Sequence, residues 1–184
     1  DPAAINVRNE LQNEESGAPI RGYMCMDDII DVPTEWFNWA DKSSPVHFLG
    51  THCYDQVRWY MGCEVEEVYA VGTKKVLKAR GVDTYDSIQA TLKMENGALA
   101  VIDNSRQAVY GYDQRAEVFG SKGMVAIKND SDSTAVISNE DGVTGEKPQF
   151  FFLERYMDAY GKEMVQFIDA IENDTETPLG VEDG

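Results

Sequence analysis

The stretch HFLGTHCYDQVRWYMG, residues 47–62, brings two imidazoles, a thiol and a carboxylate into one helix-length segment. Imidazole titrates near neutrality, so His47 and His52 are the side chains best suited to exchange a proton with a substrate. Asp55, three residues beyond His52, shares its face on a helix. Metal binding fits this spacing poorly. At 3.6 residues per turn His47 and His52 stand about 140° apart, and His52, Cys53 and Asp55 fan too widely for tetrahedral closure around zinc. The chemistry left to these residues is acid–base work on a hydroxyl. An ordinary half-buried helix reads equally well, with His52 bonded to a backbone carbonyl and Asp55 or Arg58 in solvent. Helical geometry alone leaves both readings open.

The elements that must hold this segment follow from periodicity. Ser44 and Pro45 suit the cap and first turn of a helix over 45–61, and Gly62 suits its end. Phe48, His52, Asp55 and Trp59 then form one stripe, with Leu49, Cys53, Gln56 and Tyr60 beside it. Upstream, a short helix is expected over 2–13, a turn at 16–19, a strand over 20–26, and a loop with Asp31, Pro33 and two tryptophans. Downstream the period changes to two. Strands are expected over 65–77, 85–94 and 98–106, with Asn96-Gly97 turning the last pair. A second hairpin joins 114–120 to 124–128, with Gly123 suited to a positive φ. A strand over 134–138, the turn NEDGVTG and an amphipathic helix over 155–173 complete the chain. Strands in succession, flanked by helices, predict an α+β fold: one large, mostly antiparallel open sheet with helices packed on one face. The opposite face must meet solvent or a partner.

Composition narrows the partners. Sixteen basic against 33 acidic residues give a net charge of −17, which repels nucleic acid and anionic membrane surfaces. No apolar run approaches the roughly 20 residues that span a bilayer. Three cysteines, Cys25, Cys53 and Cys63, suggest reduced thiols in a cytoplasmic protein. The chain opens at Asp1-Pro2 and stops at VEDG, so it reads as a domain cut from something longer. No GxGxxG follows a strand, and no GxxxxGK[ST], GxSxG or HExxH occurs. GSKG at 120–123 joins two short strands and reads as a turn.

Three blocks carry a family resemblance. IQATLKMENGALAVIDNSRQAVYGYDQRAEVFGSKGMVAIKN (88–129), FFLERYMDAYGKEMVQFIDAIEND (151–174) and THCYDQVRWYMG (51–62) resemble the inositol dehydrogenase branch of the glucose-fructose oxidoreductase/inositol dehydrogenase/MocA family. The resemblance implies the second of two domains, over 1–184, with a dihydrodipicolinate-reductase-like open sheet that covers substrate and forms the subunit interface. The absent N-terminal Rossmann domain would bind NAD or NADP and supply a catalytic lysine from a Glu-Lys-Pro motif. The EKP at 146–148 lies near the end of the sheet, so Lys147 reads as a surface residue. Carried onto this chain, the resemblance makes His52 the acid–base residue and Asp55 a ligand of the polyol. It places Tyr110 and Tyr112, and more loosely Asn104 and Arg106, toward the substrate. The implied partners are a cyclic polyol or sugar and a second or fourth copy of the chain, as a homodimer or homotetramer through the sheet face. One position departs from the pattern. The family's Asp four residues before the histidine, which orients the ring, is here Phe48, which accepts no hydrogen bond and disfavours a charged imidazolium. Two functions are therefore expected: a polyol oxidoreductase in the full-length parent, the fragment alone being inactive, or a sugar-binding and dimerisation module without chemistry.

Overall fold

The computed structural model describes residues 2–181. Asp1 and residues 182–184, and with them the chain ends behind the expectation of an excised domain, lie outside the described residues.

Six strands form the main sheet: β1 (Pro19–Asp27), β2 (Val65–Thr73), β3 (Ser87–Met94), β4 (Leu99–Ser105), β5 (Asp113–Gly120) and β6 (Met124–Ile127), in the order β2-β3-β4-β1-β5-β6. All pairs in this sheet are antiparallel except β1 with β4, and β1 lies between β4 and β5. Alternation sets the faces. Ile88, Ala90, Leu92 and Met94 of β3 point into the core while Gln89, Thr91 and Lys93 point away. Helices α1 (Pro2–Gln12) and α2 (Thr51–Met61) cover the core face. Val7, Leu11, Val57, Tyr60 and Met61 pack there on Met24, Met26, Ala100, Ile102 and Val118. The α+β architecture with helices on one face of a mostly antiparallel open sheet is thus what the structure shows.

Several local expectations are corrected. The helix around His52 begins at Pro45 as expected, but its first turn, Val46–Gly50, is π-helical. Ser44 does not cap it by side chain; its carbonyl accepts from the His47 and Phe48 amides, and its hydroxyl meets His47 Nδ1. Gly62 ends the helix in the left-handed region, φ 68°, as expected. The segment after β1 holds a π-helical turn (Val32–Trp36) and a 3-10 turn (Ala40–Lys42) rather than plain loop. Strand 65–77 stops at Thr73. Residues Val76–Ala79 form the short helix α3, because the buried Asp86 carboxylate accepts from the amides of Lys75, Val76 and Leu77. Gly97 sits at φ 82° and its amide returns to Met94, closing the β3–β4 hairpin. Gly123, by contrast, is not among the glycines at positive φ. Its amide, like that of Lys122, donates to Ser16, so the turn is shaped by docking on the 16–18 loop. NEDGVTG is not all turn either: Gly142–Gly145 is strand β8, paired with β7 (Val136–Asn139) in a separate hairpin. Finally, α4 (Phe152–Asn173) starts earlier than its stripe suggested and stands largely clear of the sheet. Phe152 and Tyr156 pack against the core, while Met157, Met164, Phe167, Ile168 and Ile171 stay exposed.

Candidate active site

A cavity of about 350 Å³ opens where the strand ends, α2 and α4 converge. Its floor is Met26 at the end of β1 and Asp28 just beyond it, with Tyr112 just before β5 and Gln114 at its start. Met26 lies directly across the ladder from Gln114, so the four share one face by strand alternation. One wall is Phe48, Leu49, His52 and Gln56; the roof is Phe152, Tyr156, Ala159, Tyr160 and Glu163. Hydroxyl, amide, imidazole and carboxylate groups are therefore set among apolar side chains, the mixture that suits a small polyhydroxylated ring.

His52 is exposed at this wall. His47 points elsewhere, its ring against Ser44. Phe48 is held from three sides: by the Phe37 and Trp39 rings, at 5.6 and 6.2 Å, and by the Arg106 guanidinium 5.0 Å from its centroid. The cavity takes positions 48, 49, 52 and 56 of the helix. Asp55 is half-buried and does not line it. Tyr112 is buried in the floor, its ring edge-on to Tyr156 at 6.2 Å, and burial pushes its hydroxyl well above the ordinary range. Tyr110 does not line the cavity; its hydroxyl donates to Asp113 at 2.6 Å. Asn104 lies beneath it, donating to the Met26 and Asp103 carbonyls and to Cys53 Sγ, and so ties β1, β4 and α2 together. Arg106 is fully buried behind Phe48, where Nη1 donates to the Ser43 carbonyl. Of the residues singled out from sequence, the structure brings His52 and Tyr112 to the cavity itself.

Asp28 is the cavity residue that sequence reasoning missed. It is 1% exposed. Burial pushes its carboxyl up to about 6, against the Ile29 amide and the Arg106 charge, which favour ionisation. The available signal was its place two residues beyond Met26, on the inward face of β1. The opposite face holds a second polar cluster. Cys25 Sγ and the carboxylates of Asp27 and Asp113 lie within 4.8 Å of one another. Arg115 donates to Asp113 and to Cys25, supplying the positive charge there.

The GFO/IDH/MocA C-terminal domain family matches residues 5–126. The chain belongs to the GFO/IDH/MocA family. An uncharacterized oxidoreductase of Bacillus subtilis is 50% identical to this GFO/IDH/MocA domain across 100% of the chain and 54% of its own length. The myo-inositol 2-dehydrogenase of Thermotoga maritima is 45% identical over 137 residues, 72% of this chain and 40% of that protein. The crystal structure of a myo-inositol dehydrogenase from Corynebacterium glutamicum superposes with a TM-score of 0.87 at 28% identity, covering 100% of this chain and 55% of that one. The scyllo-inositol dehydrogenase of Lactobacillus casei, solved with NAD(H) and scyllo-inositol, shares the fold at a TM-score of 0.86 and 22% identity. This GFO/IDH/MocA domain therefore spans about half the length of the relatives it matches. Its sheet is antiparallel but for one pair, and no Gly-rich turn joins a strand to a helix among the described residues. Nor is any helix among them long and apolar enough to cross a membrane.

Proposed function

We propose that this domain is the substrate-binding and oligomerisation part of an NAD- or NADP-dependent oxidoreductase that acts on a cyclic polyol or sugar. The observation that carries the reading is the cavity beside His52, with its ring of hydroxyl, amide and carboxylate groups. The relatives named inositol dehydrogenases support the substrate class. A nicotinamide held by an N-terminal Rossmann domain outside this chain would accept the hydride. His52 exchanges the proton of the hydroxyl being oxidised, at the exposed edge of the cavity. Tyr112 and the apolar wall orient the ring and exclude water from its faces. Asp55, Tyr110, Asn104 and Arg106 then support the site from outside the lining.

The bare sheet face supports a homodimer or homotetramer. Tyr69, Val71, Leu99 and Phe119 stand exposed there, 70, 50, 49 and 40% respectively. Three free thiols suit a cytoplasmic setting. A second reading, a sugar-binding and dimerisation module that has lost its chemistry, is favoured by one observation: Phe48 stands a helical turn before His52, where a carboxylate would orient the imidazole.

Nicotinamide reduction by the full-length protein, measured against a panel of inositols and sugars, separates the two. Turnover that His52→Ala abolishes while polyol binding survives supports the oxidoreductase. Binding without turnover on any substrate supports the module.

A further inference from the structure

Two groups on the cavity floor have no part in proton exchange. Asp28 is buried, yet its side chain faces the cavity from among Met26, Phe48 and Leu49. Its Oδ1 accepts from the Ile29 amide at 2.9 Å. Across the β1–β5 ladder, Gln114 is 8% exposed and its side-chain oxygen has no hydrogen-bond partner. Burying polar oxygens in an apolar recess is costly unless donors arrive to meet them. Arg106, buried on the far side of Phe48, supplies the charge that keeps such a carboxylate tolerable without occupying its cavity face.

Hydroxyl groups on a compact ring are the donors that fit. They carry no charge, so the acidic floor and Glu163 at the roof do not repel them, as they would a phosphate or a sugar acid. We propose that Asp28, with Gln114 beside it, reads the ring hydroxyls of a neutral cyclic polyol and so sets which polyol the site accepts. The inference rests on the polyol reading above and adds to it a specificity-determining residue outside the His52 helix.

The test uses the full-length protein, wild type and Asp28→Asn, with myo-inositol and each of its mono-deoxy analogues. Asp28→Asn is expected to raise KM for myo-inositol about tenfold to a hundredfold, with kcat changed less than about threefold. At one ring position the missing hydroxyl should cost wild type about tenfold or more in kcat/KM and cost Asp28→Asn almost nothing. An unchanged KM, or a deoxy penalty equal in both proteins at every position, overturns the inference and leaves the oxidoreductase reading standing. If wild type turns over no polyol, that reading falls. Saturation-transfer NMR with myo-inositol then decides Asp28 alone: binding lost in Asp28→Asn upholds its role, and equal or absent binding overturns it. Should Asp28→Asn fail to fold, Gln114→Leu carries the same comparison.

Discussion

The guanidinium of Arg106 lies 5.0 Å from the centre of the Phe48 ring, so an always-charged group is sealed from the cavity by an aromatic face. The charge still acts through it, holding down a carboxyl that burial drives up.

Arg106→Gln removes that charge and should push the Asp28 carboxyl above its present value of about 6. The other titratable groups around the cavity are Tyr112 just before β5, His52 on α2, and Tyr156, Tyr160 and Glu163 on α4. If the ionised carboxylate binds polyol, 1/KM falls as pH drops through the Asp28 pKa, and in Arg106→Gln this fall moves to higher pH. KM profiles of both proteins between about pH 5 and 8 check it. Superimposable profiles would mean that Arg106 serves packing only.

Stability should fall as pH rises toward neutrality. Asp27, on the opposite face, is pushed up to about 7 by burial first and then by the charges of Asp103 and Asp113. The folded state therefore keeps a proton that the unfolded chain has lost between about pH 4 and pH 7. This stabilisation is full below about pH 4 and disappears through pH 7, at up to about 1.4 kcal/mol per pH unit. Asp28 adds to it between about pH 4 and its folded value of about 6. Asp113 runs the other way. Burial opposes its ionisation, but hydrogen bonds from Arg115, Tyr110 and Asn129 hold it below the usual range, so its contribution is lost in acid. Melting temperatures should rise from pH 8 toward pH 5, and Asp27→Asn should flatten the upper part of that slope. A net charge of −17 pushes in the same direction, which makes the difference between the two proteins the decisive quantity. Parallel curves would remove Asp27 from the account.

Gly111 prepares the cavity floor. Its φ is 123°, and a Cβ there would lie 2.8 Å from the Pro148 carbonyl oxygen and 3.0 Å from that of Gln149. The next amide, that of Tyr112, donates to Gln149 at 3.0 Å, so relief of the clash must move the tyrosine. Gly111→Ala should cost about 1–3 kcal/mol in urea denaturation and raise KM for polyol. Gly97→Ala is the comparison, since at φ 82° a Cβ there meets nothing within 4 Å. It should cost about 1 kcal/mol and leave KM alone. Equal effects on KM would separate Gly111 from the site.

The mostly antiparallel sheet, the hairpin at Gly97 and the His52 helix were legible because each is written in local periodicity. What surrounds His52 was less so. A regular wheel puts both the i+3 and the i+4 neighbour beside His52, and the cavity takes the i+4 side, 48, 52 and 56 with 49, leaving Asp55 off its lining. Tyr112 and Tyr110 differ by two residues and looked alike. Only the fold shows one facing the cavity and the other bonded to Asp113. Alternation from Met26 turns Asp28 inward, but that Met26 meets Gln114 across β1 and β5 is a long-range register that no local pattern encodes. The same holds for the parallel insertion of β1 beside β4.

Helix α4 is gripped near one end only, where Phe152 and Tyr156 meet the core and Arg155 bonds Asn129 and the Lys128 carbonyl. Its exposed apolar residues continue beyond those that roof the cavity, at Met164, Phe167, Ile168 and Ile171. In mechanical terms it is a beam held beside the cavity. Tyr160 and Glu163 ride on the same rigid helix as Met164, Phe167, Ile168 and Ile171, so the roof of the cavity and the exposed apolar stripe are one continuous element.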